Sequence, residues 1–198
     1  MSVLLVALML VQVPAAGDAS GYAQYNRLTK FDSYFSKYSK RYFGAGFDWY
    51  YFKAQAVAES NLREDVRSPI GATGIMQIRP RTFEEIRQRN PAIGGIIEDP
   101  RWNIAAGIWY DRQNYVAWKA DRSLEDKLKF MFGSYNAGRS NILRAQRVAL
   151  RKGLNGTTWG SIEQCLQEVT GSHSKETITY ISRIFDIIMS SFCHVEFF

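Results

Sequence analysis

Glu59 closes an apolar run, Ala54-Gln55-Ala56-Val57-Ala58, just where the chain turns to polar loop residues. A carboxylate at the mouth of a greasy helix is a candidate general acid. Burial disfavours its charged form and lifts its pKa toward the range where it can hand over a proton. For a lone glutamate the commoner reading is a solvated helix end, and the residues that follow change that balance. Ser68-Pro69, Gly71 and Gly74 come next, then apolar sequence returns as Ile75-Met76-Gln77-Ile78. The other reactive side chains are few: Cys165, Cys193, His173 and His194. Neither histidine lies in a nucleophile-type motif, so Ser-His-Asp and Cys-His catalysis are poorly supported. The order Cys165, His173, Cys193, His194 matches no usual zinc spacing, and no metal or cofactor is expected. A Cys165–Cys193 disulfide would contribute about 3–4 kcal/mol in the loop-entropy picture. Two free, buried thiols are the alternative, and the sequence leaves both open.

Helices must position these groups. Residues 22–43 read as one amphipathic helix, with Phe31, Tyr34, Phe35, Tyr38 and Tyr42 as a core-facing stripe. Gly44-Ala45-Gly46 ends it, and Asp48 is a fair N-cap for a helix running to Ser60. Residues 61–74 lack helical periodicity and read as loop. A short helix is expected from Pro80 to Arg87, another after Asp99-Pro100 with Ile104, Ala105, Ile108 and Trp109 inward. Ser123 to Asp126 resembles a capping box and starts a helix reaching Tyr135. Asn136-Ala137-Gly138 is turn chemistry. Residues 139–152 are helical, with Arg144, Arg147 and Arg151 on a face that suits solvent or an anionic polymer. The last helix, residues 175–191, should bury Ile181, Ile184, Phe185 and Ile188. No alternating strand pattern occurs, so the expected fold class is all-α, mainly helical, with seven or so short helices.

The chain has 198 residues, 46% of them apolar and 14% aromatic, which suits one globular domain with a real core and excludes a disordered chain. A net charge of +6 points to an acidic partner. No run of five like charges and no basic recognition helix occurs, so nucleic acid is not expected. Val3 to Val13 is apolar and followed by Pro14-Ala15-Ala16-Gly17. It has the length of a signal-peptide core and falls short of the roughly 20 residues that span a bilayer. It lacks a basic n-region. Export is the expectation, with a loosely anchored apolar N-terminus as the alternative and no stable membrane span.

Four motifs carry a resemblance: Glu59-Ser60; Ser68-Pro69-Ile70-Gly71-Ala72-Thr73-Gly74-Ile75-Met76-Gln77-Ile78; Ser134-Tyr135-Asn136-Ala137-Gly138; and Glu176-Thr177 with Tyr180. In this order and spacing they resemble the soluble lytic transglycosylase catalytic domain over residues 47–185. Ile75 stands where Leu is usual, and Ser134 where Ala is usual. The resemblance divides the chain into a signal peptide or apolar N-terminus (1–19), an N-terminal amphipathic helix (20–46) and a catalytic domain (47–198). It implies a lysozyme-like fold, as in goose-type lysozyme and the lytic transglycosylases, with a long glycan groove.

The implied partner is the peptidoglycan glycan strand, and the implied place is the periplasm or another exported location in the cell envelope. The implied reaction breaks the β-1,4 bond between N-acetylmuramic acid and N-acetylglucosamine and leaves a 1,6-anhydro end. Glu59 matches the single glutamate that does the proton work. By the same resemblance Ser68 bonds near an acetamido group or Glu59, Met76 and Gln77 line the groove, Tyr135 lies close to the reacting bond, Asn136 shapes the adjoining turn and Tyr180 helps close the groove. Glu176 is either a support near the site or a helix N-terminal glutamate favoured by the macrodipole. Two other functions fit the same residues: a goose-type-like muramidase that uses water, and a non-catalytic wall-binding or assembly module.

Overall fold

The computed structural model describes residues 19–192. The apolar run Val3–Val13, Cys193 and His194 therefore lie outside the described residues. Among those described, the helices are α1 (Ala19–Asn26), α2 (Asp32–Phe43), α3 (Tyr50–Ser60), α4 (Pro80–Arg89), α5 (Pro100–Ala117), α6 (Leu124–Gly133), α7 (Arg139–Arg151), α8 (Trp159–Thr170) and α9 (His173–Phe192). A five-residue π-helical turn, Ser134–Gly138, joins α6 to α7. No strand forms among the described residues, only two isolated antiparallel bridges, Arg67 with Thr73 and Thr73 with Ile78. The all-α expectation holds. None of these helices is long and apolar enough to cross a membrane.

The described chain divides into two compact units. One is made of residues 19–109 with 182–192, the other is Tyr110–Ile181. In the first unit α3 is the central element. Its residues Phe52 to Ala58 are all buried, which suits the alanine-rich sequence but also buries Lys53 and Gln55. Lys53 is tolerated because its Nζ sits 2.8 Å from Asp32 Oδ1 at the start of α2. A buried charge needs such a partner. That pairing also marks a correction: residues 22–43 form two helices, broken at 27–31, and the aromatic stripe belongs to α2. Phe31, Phe35 and Tyr38 are buried while Tyr34 and Tyr42 are half-buried. Asp48 Oδ1 accepts the Tyr50 N–H at 2.9 Å, as a capping residue should.

In the second unit an aromatic cluster underlies the π-turn. Trp118 and Trp159 each meet Phe130 edge-on, with ring centres 4.9 and 5.8 Å apart. The Trp118 Nε1–H donates to Ser134 Oγ at 3.0 Å, and that hydroxyl donates to Phe130 O. Here the serine that replaces the usual alanine anchors an indole. Ser123 Oγ accepts the Asp126 N–H at 3.0 Å, so the expected cap on α6 forms. Asp126 Oδ1 then accepts the Trp159 N–H at 2.7 Å and caps α8, a helix the sequence reading missed. Cys165 lies on α8 as a free, buried thiol.

Candidate functional site

The expected site residues fall into two sets, one in each unit. Glu59, Ser68, Met76 and Gln77 belong to the first unit; Tyr135, Asn136, Glu176 and Tyr180 belong to the second.

Glu59 occupies the last turn of α3, with its side chain half-buried and its Oε2 atom shielded from solvent. The helix end is fixed from two directions. Ser60 Oγ donates to Ile75 O at 2.9 Å and to Ala56 O at 3.2 Å, tying α3 to the segment that carries Met76 and Gln77. From α9, Arg183 Nη1 donates to Ala58 O at 3.3 Å and Nη2 to Asn61 Oδ1 at 2.6 Å. A guanidinium on a carbonyl of the last turn also complements the negative end of the helix.

Residues 66–78 form a loop closed by its own backbone hydrogen bonds. Thr73 and Ile78 exchange backbone hydrogen bonds, Gly74 N–H donates to Val66 O, and Ser68 N–H donates to Ala72 O. Ser68 Oγ accepts the Ala72 N–H at 2.9 Å, so this hydroxyl closes its own turn and keeps its proton to donate. Gln77 has φ +44°, and its Nε2 donates to Val66 O and Gly74 O at 3.1 and 2.8 Å. Its amide protons therefore staple the loop, where a place lining the groove was expected. Met76 was expected to line the groove. Its side chain has no exposed surface, and a Cβ on Gly107 would meet it at 2.8 Å, so it packs inside.

The residue beneath this loop is Asn103 on α5, which sequence reasoning missed. Its Oδ1 accepts the Met76 N–H at 2.8 Å, and its Nδ2 donates to Thr73 O and Ile97 O at 2.9 Å each. Gly74 is required above it. Its φ is +78°, and a Cβ there would lie 2.7 Å from the Asn103 amide.

In the second unit the expected turn at Asn136–Gly138 is a π-helix, a geometry found often at functional sites. It holds Tyr135 and Asn136 buried. Tyr135 meets Tyr110 edge-on at 5.5 Å. Asn136 Oδ1 accepts the Thr177 hydroxyl at 2.8 Å, so the third and fourth motifs are in direct contact. Its Nδ2 is buried with no hydrogen-bond partner among the described residues. Asn141 Nδ2 donates to Ala137 O at 2.7 Å and so ties the start of α7 to the π-turn. Glu176 lies half-buried in the first turn of α9 with Oε2 3.7 Å from His173 Nδ1. Tyr180, one turn on, is buried. Among the described residues no group of three or more His, Cys, Asp or Glu is placed to hold a metal.

A half-buried carboxylate thus sits on a braced helix end, beside a loop held by buried amides, within a lysozyme-like helical fold. The chain belongs to the Transglycosylase SLT domain family, whose model matches residues 33–154. That match starts inside α2, earlier than the expected residue 47, and ends before Glu176. Among similar proteins are the membrane-bound lytic murein transglycosylases F of Vibrio vulnificus (28% identical over 71% of this chain and 25% of the relative) and Shewanella halifaxensis (29%, over 71% and 27%). The one from Desulfosudis oleivorans is 27% identical over 81% of this chain and 36% of its own length. The chain thus spans about a quarter to a third of these relatives.

Solved structures share the fold. An inactive mutant of the lytic transglycosylase Slt from Pseudomonas aeruginosa superposes with TM-score 0.63 at 18% identity, covering 82% of this chain and 24% of that one. The 70-kDa soluble lytic transglycosylase in complex with bulgecin A gives 0.61 at 22%, covering 85% and 25%.

Proposed function

We propose that the chain is a peptidoglycan lytic transglycosylase with Glu59 as its single acid and base. The protonated carboxyl of Glu59 donates to the oxygen of the β-1,4 bond between N-acetylmuramic acid and N-acetylglucosamine, and that C1–O bond breaks. The carboxylate then takes the proton of the muramoyl C6 hydroxyl, whose oxygen closes on C1. Glu59 ends protonated, no water is consumed, and a 1,6-anhydro end is left. Glycosidases that use water need a second carboxylate. Here the nucleophile is part of the substrate and already close, which is an effective-molarity advantage.

The observation that carries the reading is Glu59 itself: half-buried on the last turn of α3, inside the residues that match the family, with Ser60 and Arg183 bracing its helix end. The names of the similar proteins, lytic murein transglycosylases, point to the same substrate and to the cell envelope. In this proposal Ser68 donates its free hydroxyl proton toward an acetamido group or Glu59. Tyr135 meets sugar from the π-turn, and Asn136 shapes that turn. Gln77, Met76 and Tyr180 act by holding their segments, and Glu176 supports the start of α9.

The test is mass spectrometry of fragments released from purified peptidoglycan in heavy-oxygen water. Transglycosylation gives anhydro ends, lighter by one water than hydrolysis products and free of label. Reducing muramoyl ends that carry the label would make the chain a muramidase. No released fragments at all would leave a wall-binding module.

A further inference from the structure

Just beyond Glu59 the backbone takes a course that most L-residues avoid. Asn61 and Leu62 have φ of 55° and 61°. Asparagine tolerates the left-handed region, but a leucine there is an outlier that costs on the order of 1–2 kcal/mol. Strain of this kind gathers at functional sites and persists where the surroundings impose it. Here they do: Tyr25 OH and Arg183 Nη2 both donate to Asn61 Oδ1, at 2.9 and 2.6 Å.

Leu62 also lines a pocket of about 480 Å³ between residues 62–65 and residues 28–31. Its volume lies in the range of small-ligand sites. Leu28, Phe31 and Leu62 give it apolar walls. Its charges form two pairs: Lys30 Nζ with Glu64 Oε1 at 2.5 Å, and Arg63 Nε with Asp65 Oδ1 at 3.5 Å. All four side chains are more than two-fifths exposed. Such exposed pairs contribute about 0–1 kcal/mol, so each group can exchange its partner for a ligand at little cost. The proton chemistry of Glu59 uses none of them. The wall formed by residues 28–31 also lies before the start of the family match at residue 33.

We propose that this pocket is a subsite for the short peptide that peptidoglycan carries on its glycan. The inference rests on the proposed action of Glu59 on that polymer and extends it. N-acetylglucosamine is neutral, and the lactyl carboxyl of N-acetylmuramic acid is a neutral amide wherever the peptide is attached, so the sugars of peptide-bearing strands have no use for two cations and two carboxylates. The peptide carries carboxylates and amines on short aliphatic stems, which match paired opposite charges beside apolar walls. The pocket wall starts at Leu62, three residues after Glu59, so a peptide next to the cleaved bond has a short reach to it.

Stem peptides released by an amidase are titrated into the wild-type chain and into Lys30→Ala/Arg63→Ala and Glu64→Ala/Asp65→Ala, with folding checked by circular dichroism. The expected result is saturable binding to wild type that weakens at least about tenfold in each double variant and weakens with added salt. No saturable binding to wild type, or equal affinity in all three chains, overturns the subsite. Rates on peptide-bearing and peptide-free strands separate the two proposals. If wild type cleaves neither, the enzymatic reading of Glu59 fails while the titration still decides the pocket. If all three chains cleave both with the same preference, only the subsite fails.

Discussion

Asn103 serves three backbone groups with one buried amide and so holds the loop that follows Glu59. Its removal strands the Ile97 carbonyl and the Met76 N–H in the interior, each at a cost of about 1–3 kcal/mol, and leaves Thr73 O with the Ile78 N–H alone. Asn103→Ala is expected to lower the unfolding free energy in urea by at least about 2 kcal/mol, with Asn103→Asp recovering less than half, since it keeps only the acceptor. At this scale the sequence exposed the residues that make up motifs and hid those that support them. Glu59, Gly74 and the Tyr135-Asn136 pair are legible because their types and spacing are unusual. Asn103 is not, because one asparagine in an apolar helical pattern carries no periodic signal. The burial of Met76 and the inward turn of the Gln77 amide depend on partners far along the chain, Gly107 and Val66, that no local pattern announces.

Among the elements, α3 lies where local signals place it: Asp48, the alanine run and the polar break after Ser60. The failures are tertiary. The helix expected over 22–43 restarts at Asp32, whose carboxylate meets the buried Lys53, a contact across 21 residues. Helix α8 lacks a cap from its own neighbour Thr158 and takes it from Asp126, 33 residues earlier. The π-turn looks like an ordinary turn until Thr177 and Asn141 are seen to hold it. Arg183 is the positioning residue for the end of α3. Arg183→Leu is expected to speed hydrogen exchange at the amides of residues 58–61 at least about tenfold, the equivalent of about 1.4 kcal/mol, with Arg183→Lys recovering part of the protection. Unchanged exchange would show that Ser60 alone fixes the helix end.

For the molecule as a whole, the positive charge is partly gathered on α7, where Arg144, Arg147 and Arg151 are exposed. Its alkaline limit is set elsewhere. Tyr25, Tyr42, Tyr50 and Tyr51 are all pushed above the ordinary phenol value of 10.0, chiefly by burial. A raised folded-state value means the native chain holds these protons more tightly than the unfolded one. The associated stability is complete below about pH 10 and is lost as pH rises further. The melting temperature should therefore fall above that pH, with part of the phenolate absorbance appearing late; a flat profile would contradict it. The central claim is that one carboxyl moves both protons. Its most direct test is the initial rate of anhydro-ended product from purified peptidoglycan with Glu59→Gln, whose circular dichroism should match wild type. The account predicts a loss of at least roughly a hundredfold, the scale of general acid–base catalysis. A rate within a few-fold of wild type would contradict it.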